Sequence, residues 1–133
     1  MKLSREQIHT EMIKKIEELS GQNLGACYQC GNCSAGCPIV DHMDVLPNQV
    51  IRLIQIGLDN EAFETEAIWL CASCLQCMAK CPKGVDLAKI MDALRTILRR
   101  QGIDKTHLSK ITEEMWKSIP QQAIVSRYRK FSS

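Results

Sequence analysis

The sequence predicts an all-α chain whose helices surround two cysteine loops. Three observations carry that expectation. Apolar residues recur at helical spacing in several segments, and no segment alternates with a period of two. All eight cysteines fall into two runs of one spacing. "CYQCGNCSAGCP", residues 27 to 38, is followed 44 positions later by "CASCLQCMAKCP", residues 71 to 82. Each reads C-x2-C-x2-C-x3-C-P. Beyond Cys and Pro only Ala35 and Ala79 coincide, so the expected repeat is a ligand spacing and not a packing unit.

The elements follow from caps and periodicity. Ser4 with Gln7 suits a capping box, and Ile8, Met12, Ile16 and Leu19 form the apolar stripe of a first helix. Gly21 and Gly25 release the chain into the first cysteine run. After Cys37-Pro38 a polar connector, "IVDHMDVL", leads to Pro47, which suits the first position of a helix running to Gly57. Asn60 is the expected cap of a third helix, "EAFETEAIWL", which delivers the chain to Cys71. Asp86 caps the clearest helix, where Leu87, Ile90, Met91, Leu94, Ile97 and Leu98 share one face and Gly102 ends it. A further helix is expected from Lys105 to Ser118. The tail "QQAIVSRYRKFSS" reads as loosely ordered.

Residues 1–133 therefore fit one domain. It has an N-terminal helix (about 4–20), a cysteine-bearing core (about 21–102), and a C-terminal helix with a polar tail (about 103–133). Only 5% of residues are aromatic, so the apolar core is modest and the cysteine-rich middle needs another source of cohesion. A formal charge of +2 is too small to point to nucleic acid or to an acidic membrane. "MKLSREQIHTEMIKK" has no apolar signal core, and no stretch reaches the roughly 18 apolar residues of a bilayer span. The expectation is a cytoplasmic chain with reduced thiols, which disfavours a disulfide scaffold and favours metal or redox chemistry.

The spacing discriminates between metals. Structural zinc takes two short cysteine pairs that converge on one tetrahedral ion. Here three thiols fall within seven residues, with a fourth just beyond and a proline after it. That is the run by which thiolates reach the corners of a [4Fe–4S] cube, and in two-cluster proteins the fourth cysteine of each run serves the other cluster. One cluster is thus expected on Cys27, Cys30, Cys33 and Cys81, and a second on Cys71, Cys74, Cys77 and Cys37. Pro38 and Pro82 push Cys37 and Cys81 toward extended backbone, which lets each point away from its own loop. With two oxidised clusters bound, the net charge becomes about −2.

The first loop is polar (Tyr28, Gly31, Asn32, Ser34, Gly36) and the second more apolar (Ala72, Leu75, Met78, Ala79). Burial opposes adding an electron to an anionic cluster, so the second cluster is expected to have the lower potential. His9, His42 and His107 are scattered without ligand spacing, and His42 is expected to be exposed. Trp69 packs or shields a cluster edge, Met78 and Met91 fill the core, and "RYRK" at 127–130 is a solvated tail or a docking charge. No residue is assigned as acid, base or nucleophile, since no such set remains beyond the thiols.

"CYQCGNC…CP", the spacer that turns helical at Pro47, and "IWLCASCLQCMAKCP" together resemble the C subunit of heterodisulfide reductase, over roughly residues 20 to 100. More broadly the chain resembles the α-helical ferredoxins. The 33 residues between Cys37 and Cys71 suit that type better than the small ferredoxins with strands. The resemblance implies an electron relay that is fed by the flavin- and cluster-bearing A subunit of the same complex. It delivers to the B subunit, whose CCG motifs have no counterpart here because no two cysteines are adjacent. Alternatives are the relay component of a quinone-linked dehydrogenase, a freely diffusing ferredoxin, and a zinc-bound structural adaptor.

Overall fold

A computed structural model describes residues 11–103 and 111–131, the last five of these as backbone only. The chain divides into two compact units, Met1–Ile103 and Asp104–Ser133. The boundary lies next to Gly102, where the sequence ends its cysteine-bearing core. Among the described residues the elements are helices and turns, with no strand.

In the first unit the long helix α7 (Leu87–Arg100) is the spine. Its six expected apolar residues are all buried, joined by Ala88 and Ala93. Asp86 caps it as expected, its side chain accepting from the Lys89 amide at 3.2 Å. Helix α1 (Glu11–Ser20) packs along α7 through Ile16, while Leu19 stays 39% exposed. The expected start of α1, with Ser4, Gln7 and Ile8, lies outside the described residues. Helix α3 (Pro47–Gln55) starts on its proline and buries Val50, Ile51 and Ile54. Gly57, at φ 77°, then turns the chain as only a glycine does freely.

The third expected helix is broken in two. Helix α4 (Asp59–Glu64) contains Asn60 rather than being capped by it, and α5 (Ala67–Leu70) follows after an extended Thr65. The cause is a carboxylate far along the chain. Asp44 accepts from the Glu66 amide at 2.8 Å and from the Ala67 amide at 2.9 Å, which starts a fresh helix there. Thr65 is buried and donates its hydroxyl to the Ala62 carbonyl, sealing the end of α4.

Two short helical turns, α2 (Asn32–Ala35) and α6 (Gln76–Lys80), lie within the cysteine runs and pack on each other. In the second unit Thr112 caps α8 (Glu113–Ser118), accepting from the Met115 amide at 3.4 Å. The expected first turns of that helix, 105–110, lie outside the described residues. The tail expected to be loose is instead a helix, α9 (Gln121–Phe131). Pro120 sets Ile119 in extended backbone and opens α9, where the Ala123 amide reaches the Pro120 carbonyl.

Asp86 anchors the spine twice. Besides capping α7, its own amide donates to the Gln22 side chain at 2.8 Å, across 64 residues. Replacing Asp86 with Ala is expected to lower the unfolding free energy by about 0.5–2 kcal/mol, while Asp86→Asn retains most of it. Anaerobic denaturant titration reads this as a lower midpoint at unchanged slope. An unmoved midpoint would mean that the cap contributes nothing.

Candidate metal centre

The two cysteine runs share more than spacing. Each is entered from a helical turn: residues Leu24–Ala26 form a 3-10 turn before Cys27, and α5 ends at Cys71. Each then takes a left-handed residue between its first two cysteines, Gln29 at φ 63° and Ser73 at φ 54°. Each takes another just after the second cysteine, Gly31 at φ 80° and Leu75 at φ 64°. A helical turn follows and carries the third cysteine, Cys33 in α2 and Cys77 in α6. The repeat is therefore a backbone conformation, which corrects the expectation of a bare ligand spacing. Gln29, Ser73 and Leu75 are the positive-φ non-glycine residues among the described ones. Such backbone costs about 1–3 kcal/mol per residue, and persists where its surroundings hold it for a purpose.

The thiols ring two apolar cavities. One is bordered by Cys27, Cys30, Cys33 and Cys81 over a floor of Ile51, Val85 and Leu87. The other is bordered by Cys71, Cys74, Cys77, Cys37 and Cys33 over Ile39, Leu87 and Met91. Cys33 and Leu87 line both, so the cavities share a wall. Each cavity gathers the first three cysteines of one run and the fourth of the other, and the second cavity adds Cys33 at the shared wall. Cys81 has the extended backbone expected before Pro82, with φ −79° and ψ 116°.

The donor set suits a cluster. All eight thiols are free, Cys30 and Cys74 exposed and the other six half-buried. Burial pushes the Cys33 thiol up, opposed by hydrogen bonds from Ser34, and burial likewise pushes up Cys77. A bound metal supplies the positive charge that such desolvated thiolates need. The Val85 amide donates to Cys81 Sγ at 3.3 Å, and Gln29 Nε2 approaches Cys27 Sγ at 3.5 Å. Among the described residues no three His, Cys, Asp or Glu side chains converge as they would on one ion. Thiols spread around an apolar cavity fit a cube better than a single zinc.

Outer contacts hold each run, and sequence reasoning missed them. From α3, Gln55 Nε2 donates to the carbonyls of Leu24 (2.7 Å) and Cys27 (2.9 Å), and its Oε1 accepts from Gln29 (3.3 Å). From α7, Arg95 donates to the Cys71 carbonyl (3.0 Å) and to Ser73 Oγ (3.1 Å). Ser34, buried in α2, donates to Asn48 Oδ1 at 2.6 Å and accepts from the Asn48 amide at 3.0 Å, pinning the first run to α3. No motif marks Gln55, Arg95 or Asn48. Their one signal is a polar residue on the cysteine-facing side of a helix otherwise apolar inward.

The remaining candidates sort plainly. His42 is exposed, and His9 and His107 lie outside the described residues. Trp69 is half-buried against the core with the Arg99 guanidinium 5.9 Å from its ring centre. Met91 is core, but Met78, on the single turn α6, is 47% exposed. Ala72, Leu75 and Ala79 are exposed too, so the apolar residues of the second run do not bury it. The "RYRK" side chains belong to the residues described as backbone only.

Residues 23–85 match the 4Fe-4S dicluster domain. The chain is 30% identical over 94 residues to the iron-sulfur C subunit of the CoB–CoM heterodisulfide reductase of Methanopyrus kandleri, covering 70% of this chain and 49% of that protein. It is 30% identical over 95 residues to the C subunit of the H(2):CoB-CoM heterodisulfide,ferredoxin reductase of Methanothermobacter thermautotrophicus, covering 71% and 51%. Against a second iron-sulfur C subunit of CoB–CoM heterodisulfide reductase, from Methanocaldococcus jannaschii, the figures are 33% over 81 residues, 61% and 43%. The chain spans about half the length of these relatives. Its helical, cysteine-bearing core matches the 4Fe-4S dicluster domain over residues 23–85 and is similar in sequence to the C subunit of heterodisulfide reductase.

Proposed function

We propose that the chain holds two [4Fe–4S] clusters and relays electrons in a heterodisulfide reductase-like complex. One cluster is ligated by Cys27, Cys30, Cys33 and Cys81, the other by Cys71, Cys74, Cys77 and Cys37. The relay runs from the flavin- and iron–sulfur-containing A subunit to the CCG-motif B subunit, in the cytoplasm. The observation that carries the reading is the pair of cavities, each bordered by the first three cysteines of one run and the fourth of the other, with Cys33 at the wall between them.

The clusters supply one-electron chemistry, and the chain's own residues do the rest. Ile51, Val85, Leu87 and Met91 keep water off the inner faces. The left-handed residues and the helical turns aim the thiols. Cys30 and Cys74 leave each site an exposed edge where a partner's redox group approaches. Cys33, common to both cavities, marks the short way between them. No helix among the described residues is long and apolar enough to cross a membrane.

Crossed ligation has a spectroscopic signature. Full-length Cys81→Ala, purified anaerobically, is expected to lose or alter the same cluster as Cys30→Ala. Cys37→Ala is expected to match Cys74→Ala instead, in both iron content and electron paramagnetic resonance. If Cys81→Ala matches Cys74→Ala, each run keeps its own fourth ligand and the crossed assignment is wrong.

The relay itself is read from partners. Anaerobic affinity purification from the native host is expected to bring down a flavoprotein together with a CCG-motif protein. Recovery of a quinone-reactive membrane protein would move the chain to a respiratory dehydrogenase.

A further inference from the structure

Resting on the two-cluster reading above, we propose that Gln55 and Arg95 are equivalent clamps on the two runs, and that the charge of Arg95 raises the reduction potential of the second cluster. The equivalence is geometric. Each side chain comes from one of the two longer helices that follow the runs, α3 and α7. Each donates to the carbonyl of the first cysteine of a run, Cys27 at 2.9 Å and Cys71 at 3.0 Å. Each also binds the side chain of the left-handed residue two positions on, Gln29 at 3.3 Å and Ser73 at 3.1 Å. The clamps differ by one unit of charge. The first is a neutral amide and the second a cationic guanidinium.

The ion pair on that charge is a weak one. The Arg95 side chain is 12% exposed, and its partner carboxylate, Asp92, is 3.8 Å away and 66% exposed to screening water. Arg95 Nε is buried without a hydrogen-bond partner among the described residues. A buried donor left unpaired is costly, and an anionic neighbour offsets that cost. A cluster held by Cys71 is such a neighbour.

The first run has cations nearby, but of another kind. Lys83 lies 6.0 Å from the Tyr28 ring and Lys80 folds across Gly36, and both residues are exposed. Water screens them far more than it screens Arg95. Reduction of either cluster adds one electron and one negative charge, with no bond made or broken. A partly buried cation beside one cluster favours that step there more than at its neighbour across the shared wall. Arg95 thus acts against the order of potentials that loop composition alone predicts. It is a positioning residue with an electrostatic effect, and it touches no electron donor or acceptor.

The test is a redox titration of the full-length, anaerobically loaded chain, followed by electron paramagnetic resonance. The cysteine variants assign each signal to its cluster. Arg95→Gln, which converts the second clamp to the chemistry of the first, is expected to lower the midpoint of the Cys71 cluster by more than that of the Cys27 cluster. Arg95→Lys keeps the charge and is expected to keep the midpoint. Unchanged midpoints in a fully loaded Arg95→Gln variant would overturn the proposal, as would equal falls in both variants. So would loss of the second cluster from both, which would make the clamp purely structural. Failure of the two-cluster reading shows separately, as a wild-type chain without two iron–sulfur signals.

Discussion

Cys37 and Cys81 each leave their own run and end among the thiols of the other, and the rest of the first unit is arranged around that exchange. It requires the two runs to lie against each other, which they do through α2 and α6. Their approach is close enough that a side chain at Gly36 would stand 2.5 Å from Lys80 Cδ. It also requires each run to turn sharply twice, at left-handed residues that only Gly31 adopts without strain. Backbone of this kind is not stable by itself, so its stabilisation comes from elsewhere. Metal–thiolate bonds of the proposed clusters would be one source, since ligation free energy in a small site is also folding free energy. The apolar layer behind the cavities is the other.

That layer is built from helices outside the runs. α7 meets α1, α5 and α6, while α3 closes on α2 and α4. Leu87 shows how scaffold and site share residues: it starts the apolar face of α7 and lines both cavities. Polar ties then fix where each run sits on the layer. Gln22 holds the amide of Asp86, Asn48 holds Ser34, and Asp44 starts the helix that ends at Cys71. All three reach from the first half of the chain to a point beside a run, so moving either run would break them and leave the buried Ser34 or Asp86 without its partner.

What could be read in advance follows from the range of the interactions involved. The cysteine spacing is local, and so is the 3.6-residue periodicity of α7. Both, with the Pro47 start of α3 and the Asp86 cap, stand in the structure where the sequence puts them. The broken third helix was not readable, because the carboxylate that restarts it sits 22 residues upstream at Asp44. The clamps were hidden for the same reason: Gln55 and Arg95 are unremarkable on their helices, and their partners lie 28 and 24 residues away. Leu75 was misread as part of a burying loop, since nothing local announces that a leucine will take a left-handed conformation and stand half-exposed. The order of α9 was missed because a polar, basic composition fits a tail as well as a surface helix.

The two halves of the site agree in backbone and disagree in side chains, and this division has a physical basis. Thiol directions are set by the left-handed residues and the helical turns, and little can change there without misaiming a ligand. The groups one step out carry no such constraint. An amide and a guanidinium both reach a cysteine carbonyl at about the same distance, 2.9 Å and 3.0 Å. Either satisfies the backbone, but only one brings charge. The rims differ in the same way, with Tyr28 and Lys83 beside the first run and Leu75 and Met78 beside the second. On the two-cluster reading proposed above, a repeated ligand frame with unlike outer contacts would give one small fold two non-equivalent redox sites, with chemically different rims for electrons to enter and leave by.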